Sequence, residues 1–318
     1  MTDRVTIPPV TKSLSPLALG GSLFGADEYG GEKAAALLAA MQAALARGIN
    51  HFDTASDYGG GESEKLIGHF MAGKRAQVFV ASKAGPDEMD AGVMLAQVER
   101  SLERLQTDSI DLYYIHWPRR GKDPRPLMEG LERARALGKI RAVGVSNFSV
   151  EQMALAAQAG RVDAHQLCYS LLWRFAEAEL IPYCVEHNIA VITYSSIAQG
   201  VLTGKFPRQP QLAPGDQRAR TVHFEPNVWP HVYEAVEAFK QVAARAGVPL
   251  THLAIRWVLA QPGIHTAVVS ARTSEQLHDN ANALDHDIPD AVLADLTAIS
   301  DSVMPRIPDV GNMYRYYP

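Results

Sequence analysis

Cysteine is nearly missing from this chain. Its 318 residues include two, Cys168 and Cys184, each flanked by apolar neighbours. That excludes a disulfide framework and leaves buried thiols in a reducing compartment as the expectation. A basic excess is missing too. Lys and Arg number 30 against 35 Asp and Glu, the formal charge is −5 and the pI is about 6.1. Neither nucleic acid nor an anionic membrane has an electrostatic claim on such a chain. No apolar run reaches the length of a membrane span. Met1-Thr2-Asp3-Arg4 opens no basic-then-apolar leader. Neither His-Glu-x-x-His nor Cys-x-x-Cys spacing occurs, so no metal site is expected. No Gly-x-Gly-x-x-Gly opens a helix after a strand, so an open dinucleotide-binding sheet is not indicated. Gly200-x-x-x-Gly204-Lys205 is one residue short of a phosphate-binding loop. Gly144-Val145-Ser146-Asn147-Phe148 lacks the closing glycine of a nucleophile elbow. What is left is a chain 47% hydrophobic and 20% charged, with the size and polarity of a cytoplasmic globular enzyme.

The remaining pattern is a rhythm. Short apolar, β-branched runs at 17–21, 51–55, 78–83, 111–117, 140–146, 164–169, 190–195 and 266–270 read as strands. Between them, helical periodicity covers 32–47, 63–71, 93–105, 128–137, 149–160 and 177–187. Helices at 231–246 and 250–261 follow a polar, proline-containing loop at 200–229, and two more, 274–284 and 291–300, precede a tyrosine-rich tail. A small hairpin is possible before the first strand. Strands apolar along their whole length suit a parallel sheet covered by helices. Eight strand–helix units in about 300 residues favour a closed (β/α)8 TIM barrel over an open sheet. No linker or composition shift divides residues 1–318, so a single domain is expected.

In such a barrel, chemistry belongs at the C-terminal strand ends. Three successive strands deliver polar groups there: Asp53 with Tyr58 just beyond, Lys83, and His116. Gly59, Gly60 and Gly61 allow the backbone positive φ, which would turn Tyr58 back towards Asp53. A phenol ionises near pH 10, too high for easy exchange at neutrality. An ammonium beside it would lower that value, and a carboxylate would keep the ammonium charged and placed. The imidazole can hydrogen-bond a substrate oxygen or share the proton. The set can protonate an oxygen or deprotonate an alcohol. Asp53 and Lys83 alone would read equally as a structural ion pair.

Several motifs together give the chain a family resemblance. They are Phe52-Asp53-Thr54-Ala55 with Tyr58-Gly59 and Ser63-Glu64, Ser82-Lys83, Ile115-His116-Trp117-Pro118, Gly144-Val145-Ser146-Asn147-Phe148, and Tyr194-Ser195 with Gly200-Val201-Leu202-Thr203-Gly204-Lys205. Along essentially its whole length the sequence resembles the aldo-keto reductases. The resemblance implies a catalytic tetrad of Asp53, Tyr58, Lys83 and His116. It implies reduction of aldehydes or ketones by hydride from a nicotinamide, with Tyr58 as general acid. It places Ser146, Asn147 and Gln166 at the nicotinamide carboxamide and Tyr194 on its ring. Ser195, Ile197, Gln199, Gly200, Leu202 and Lys205 would follow the pyrophosphate. Ser270, Arg272, Gln276, Asp279 and Asn280 would hold the adenosine end. Ser270 stands where relatives often carry glycine or lysine. With Arg272 it suits a 2′-phosphate, which a guanidinium grips by its fork. NADPH is therefore expected rather than NADH. Lys205 also reads as a solvated loop lysine, and Ser146-Asn147 as a helix cap.

The partner expected is a small carbonyl compound, and no oligomeric state follows from the sequence. Phe24, Trp117, the 200–229 loop and Tyr314, Tyr316 and Tyr317 of the tail are candidates for the substrate wall. Two other readings stand beside the reductase. One is an NAD(P)-dependent aldose or alcohol dehydrogenase. The other is a redox-sensing regulatory protein like the potassium-channel β subunits.

Overall fold

Eight parallel strands close on themselves in chain order in a computed structural model that describes residues 5–24 and 31–316. They are β1 Leu17–Gly20, β2 His51–Asp53, β3 Phe79–Ala84, β4 Ile110–Ile115, β5 Ile140–Ser146, β6 Ala164–Cys168, β7 Ala190–Tyr194 and β8 Ile264–Val269. β1 seals the ring against β8, with Ala18 opposite Val268. The first six intervening helices are α1 Gly31–Ala46, α2 Glu62–Met71, α3 Ala91–Leu105, α4 Arg125–Ala136, α5 Val150–Ala156 and α6 Leu180–Glu186. Two, α7 Trp229–Ala246 and α8 Leu250–Ala260, lie between β7 and β8, and α9 Ser274–Asn282 and α10 Asp290–Val303 follow. This is the expected (β/α)8 barrel. Among the described residues, no helix is long and apolar enough to cross a membrane.

Local chemistry sets the starts and stops. Asp90 accepts from Val93 N at the start of α3, Ser149 and Gln152 form a reciprocal box at α5, and Thr273 accepts from Gln276 N at α9. Such caps satisfy amides that the first helical turn leaves unpaired. Two helices are shorter than their periodicity suggests. The 149–160 pattern yields α5 over Val150–Ala156. The 177–187 pattern yields a 3₁₀ turn, Phe175–Glu177, and then α6. Pro182 is the reason in the second case, because it fits only the first turn of a helix. Glu177 is also pulled aside by Arg174, whose Nε donates to it at 2.7 Å.

Two apolar layers hold the barrel. The larger lies between strands and helices. The smaller fills the interior, where Ile7, Val10 and Leu14 pack with Phe79, Ala164 and Ala190, the first residues of β3, β6 and β7. The segment before β1, paired through Val5 and Leu14 as a short hairpin, therefore plugs the N-terminal end. Gly144 answers a packing need. A Cβ there would lie 2.3 Å from Tyr114 Cδ1, so only glycine lets the fully buried Tyr114 ring cross the interior.

The opposite end carries the loops. Between β7 and α7 the chain forms 3₁₀ turns at Ala198–Thr203, Gln217–Arg220 and Val222–Phe224. Trp229 Nε1 donates to Arg208 O at 2.9 Å, and Phe224 stacks on Trp229 at 4.8 Å. The tail returns over this loop, with Val222 N donating to Met313 O at 2.9 Å and Arg315 paired with Glu225. Tyr317 and the first four residues lie outside the described residues.

Candidate active site

Asp53 ends β2, Lys83 lies one residue from the end of β3, and His116 follows β4. These strands are neighbours in the barrel, so their ends converge. Lys83 is fully buried. Its Nζ donates to Asp53 Oδ1 at 2.5 Å and to Thr54 O at 2.7 Å. The second Asp53 oxygen accepts from Gln166 Nε2 at 2.8 Å. Gly59, Gly60 and Gly61 take φ of 58°, 64° and 98°, left-handed values that side chains rarely tolerate. That turn places the half-buried Tyr58 ring 5.4 Å from Lys83 Nζ and edge-on to His116, with centroids 5.7 Å apart. His116 Nδ1 lies 3.3 Å from Asp57 Oδ1.

The phenol departs from the sequence expectation. Burial, and then the charges of Asp53 and Asp57, hold Tyr58 well above the usual pH 10 of a phenol. Lys83 does not pull it down, because Asp53 matches the ammonium's charge at 2.5 Å and the pair offers the phenol little net positive field. Tyr58 is thereby kept as a proton carrier.

The surrounding motif residues fix this arrangement. Ser63 Oγ meets Thr54 Oγ1 at 2.7 Å and donates to Gly21 O at 3.0 Å. Fully buried Glu64 accepts from Ser82 Oγ at 2.5 Å and from Arg104 Nη1 at 3.1 Å. Arg104 also donates to Ser56 O at 3.2 Å, tying α3 to the turn before Tyr58. Arg104 and Asp57 carry no motif of their own and were not predicted.

The residues expected around a nicotinamide form one network. Tyr194 Oη donates to Asn147 Oδ1 at 2.6 Å, Asn147 Nδ2 donates to Ser146 Oγ at 3.0 Å, and Ser146 Oγ donates to Gln166 O at 3.0 Å. The Gln166 amide is spent on Asp53 and so joins this network to the tetrad. Beyond β7, Ser195, Ala198, Gln199 and Gly200 all have positive φ. Leu202 is fully buried in the core, leaving only its backbone for a ligand. At the far end Asn280 Nδ2 donates to Ser270 O at 3.3 Å and Arg272 N to Gln276 Oε1 at 2.9 Å. Asp279 turns instead to His252, 3.1 Å away.

One cluster was only half anticipated. Burial first, and then the fields of Arg218 and Arg272, push the Lys205 amine below its usual range, so three cations share one region. Arg218, on the 3₁₀ turn Gln217–Arg220, is the member missed; the run Gln217-Arg218-Ala219-Arg220 was its signal. A turn of positive-φ backbone beside three cations is the donor set a pyrophosphate with a 2′-phosphate requires. The residues fit a phosphorylated dinucleotide.

Trp117 borders a cavity of about 250 Å³ with Gln217, Arg220, Tyr314 and Tyr316. It meets Tyr316 edge-on at 5.1 Å and lies 6.3 Å from the His116 ring. Phe24 is fully buried in the core and is no part of that wall. A groove of about 400 Å³ between α7 and α10 lies on the helical exterior, away from the strand ends.

The sequence model of the aldo/keto reductase family matches residues 16–301. The chain belongs to that family. It is 36% identical to the aldo-keto reductase YhdN of Bacillus subtilis over 83% of each chain. It is 32% identical to the NADH-specific methylglyoxal reductase of Escherichia coli, over 77% of this chain and 81% of that one. Among solved structures, a glycerol dehydrogenase from Gluconobacter oxydans superposes with a TM-score of 0.87 at 30% identity, covering 96% of this chain and 97% of that one. An aldo/keto reductase from Klebsiella pneumoniae in complex with NADP and acetate gives 0.76 at 27% identity, over 98% and 99%. The protein is an oxidoreductase of the kind that reduces carbonyl compounds with a nicotinamide cofactor.

Proposed function

We propose that this aldo/keto reductase reduces small aldehydes and ketones with NADPH, and that Tyr58 donates the proton. The observation that carries the reading is the phenol, held in its protonated form beside His116 and the anchored Lys83. When bound, the reduced cofactor supplies the hydride. Ser146, Asn147 and Tyr194 would hold its nicotinamide, the 195–200 turn its pyrophosphate, and Arg272 with Arg218 and Lys205 its 2′-phosphate. Tyr58 and His116, edge-on at 5.7 Å, would offer two hydrogen-bonding groups to a carbonyl oxygen. As negative charge develops there, Tyr58 releases its proton to the oxygen. Asp53 and Thr54 hold Lys83 in place, 5.4 Å from the phenol ring, so that it positions the ring without lending the phenolate a net charge.

The cation cluster supports NADPH over NADH, although the E. coli relative is NADH-specific by name. Running the chain as an alcohol dehydrogenase would require the Tyr58 phenolate as the base that takes the alcohol's proton, and burial opposes that form. No observation favours the regulatory reading. The test is oxidation of NADPH and NADH across a panel of aldehydes. Tyr58→Phe should lower kcat by about 10²–10⁴-fold while NADPH affinity holds. Unchanged turnover would remove Tyr58 as the acid, and no turnover with any carbonyl despite tight NADPH binding would end the reductase reading.

A further inference from the structure

The 3₁₀ turn Gln217–Arg220 carries two arginines with different surroundings. A 3₁₀ helix has three residues per turn, so positions i and i+3 eclipse. Gln217 and Arg220 therefore share a face, and both border the cavity that Trp117, Tyr314 and Tyr316 complete. Arg218 points elsewhere. Its Nη2 meets Asp216 Oδ2 at 2.5 Å, and its field reaches Lys205 on the cofactor side.

The geometry assigns Arg220 as the anion-recognising residue of the substrate site, so the preferred substrates are short carbonyl compounds bearing an oxyanion. This rests on the reductase reading above and names its substrate class. Neighbouring arginines each have a carboxylate contact: Arg218 with Asp216, Arg315 with Glu225, and Arg119 with Asp87. Arg220 forms no ion pair among the described residues and is solvent-exposed. A guanidinium free to fork onto a carboxylate or phosphate thus faces the cavity, with the Gln217 amide as a second donor beside it.

The turn is held at both ends. Asp216 Oδ1 accepts from Arg218 N at 3.0 Å, and Thr221 Oγ1 donates to Arg218 O at 2.8 Å. The cation is presented from an anchored element. At about 250 Å³, the cavity falls below the roughly 300–1,000 Å³ of sites for drug-sized ligands, so the substrate is short. Its aromatic walls contact the carbon chain, and the charge is read at the loop. Asp57, 3.3 Å from His116 Nδ1, disfavours an anionic group next to the reacting carbonyl and so favours one at the distal end.

The test compares 4-oxobutanoate with pentanal, and glycolaldehyde phosphate with glycolaldehyde, in the full-length enzyme and in Arg220→Gln and Arg220→Glu. Charge-assisted hydrogen bonds at an exposed site imply a loss of about tenfold in the charged-to-neutral ratio of kcat/KM for Arg220→Gln, and a larger one for Arg220→Glu. Pentanal turnover and NADPH affinity should stay unchanged, and added salt should shrink the wild-type preference. Preference within the first pair identifies a carboxylate, and within the second a phosphate. A direct readout is quenching of tryptophan fluorescence by 4-hydroxybutanoate, which should weaken in Arg220→Gln. Normal pentanal reduction with an unchanged ratio in both variants would overturn the assignment. So would a loss of NADPH affinity in Arg220→Gln, which would make Arg220 a cofactor residue. If no carbonyl is reduced at all, the reductase reading fails, and the fluorescence titration still decides the anion site.

Discussion

Mild acid should unfold this barrel before its carboxylates titrate. His51, His165 and His223 are fully buried. Burial lowers His51 to about 4, His165 to about 3 and His223 to about 4, from an ordinary 6.5. Asp53 and Asp111 near His51, and Leu172 O at His223, favour the proton but do not outweigh burial. Neither His51 nitrogen has a partner, and its ring meets Phe79 edge-on at 5.0 Å. His165 Nδ1 faces only Cys184 Sγ at 3.8 Å, and His223 Nε2 bonds Leu172 O at 2.9 Å. A depressed folded value means that the stability is fully present above pH 6.5 and is lost as pH falls towards the folded values. Between pH 7.5 and 5, each unfolded-state histidine gains a proton that its folded counterpart refuses, a difference of ~2 kcal/mol. Three together remove roughly 6 kcal/mol, comparable with the whole stability of many domains. The slope near pH 5.5 should approach about 4 kcal/mol per pH unit. Urea midpoints measured from pH 7.5 to 5 would show it, and His51→Leu, which strands no hydrogen-bond partner, should remove about a third. A wild-type slope below that of one proton would refute the reasoning.

Two further outcomes follow from contacts already described. Gly144→Ala puts a methyl 2.3 Å from Tyr114 Cδ1 and 3.1 Å from Ala164 O and should destabilise the fold by about 1–3 kcal/mol. In a Tyr114→Leu background the penalty should shrink, and strict additivity in urea unfolding would show that the ring is not the obstacle. Arg272→Ala and Arg218→Ala should each weaken NADPH about tenfold and NADH much less. Equal losses in fluorescence titrations would count against a 2′-phosphate at that cluster.

The strands were legible because they are apolar on both faces, a pattern the barrel uses directly. β5 falls on 140–146 as read, bounded by Gly138 at φ 73° and by the polar end at Ser146. The tetrad was legible for the same reason, since a charged group directly after an apolar run points to a strand end. Several pairings were not. Nothing along the chain says that Gln166, 113 positions away, donates to Asp53. Phe24 looked like a wall and is core. The direction of the Tyr58 shift also escaped, because sequence names the charges but not their separations. Asp53 cancels Lys83 only because it lies at 2.5 Å.

The same limit applies to the two arginines of one short turn. Residues 200–229 carry Arg208, Arg218 and Arg220, and as a sequence they read as one polar, proline-containing loop at the substrate wall. The phase of a 3₁₀ turn separates them. An eclipsed pair at 217 and 220 faces the substrate cavity, and 218 is left to the cofactor side. An α-helical turn would have rotated Arg220 away from Gln217 by the difference between 3.0 and 3.6 residues per turn. On the assignments proposed above, cofactor selectivity and substrate selectivity would be set two residues apart on one element. A change at 218 should move the NADPH-to-NADH ratio and leave the anionic-to-neutral substrate ratio alone, and a change at 220 should do the reverse. If either substitution moves both ratios together, the turn does not divide the two ligands.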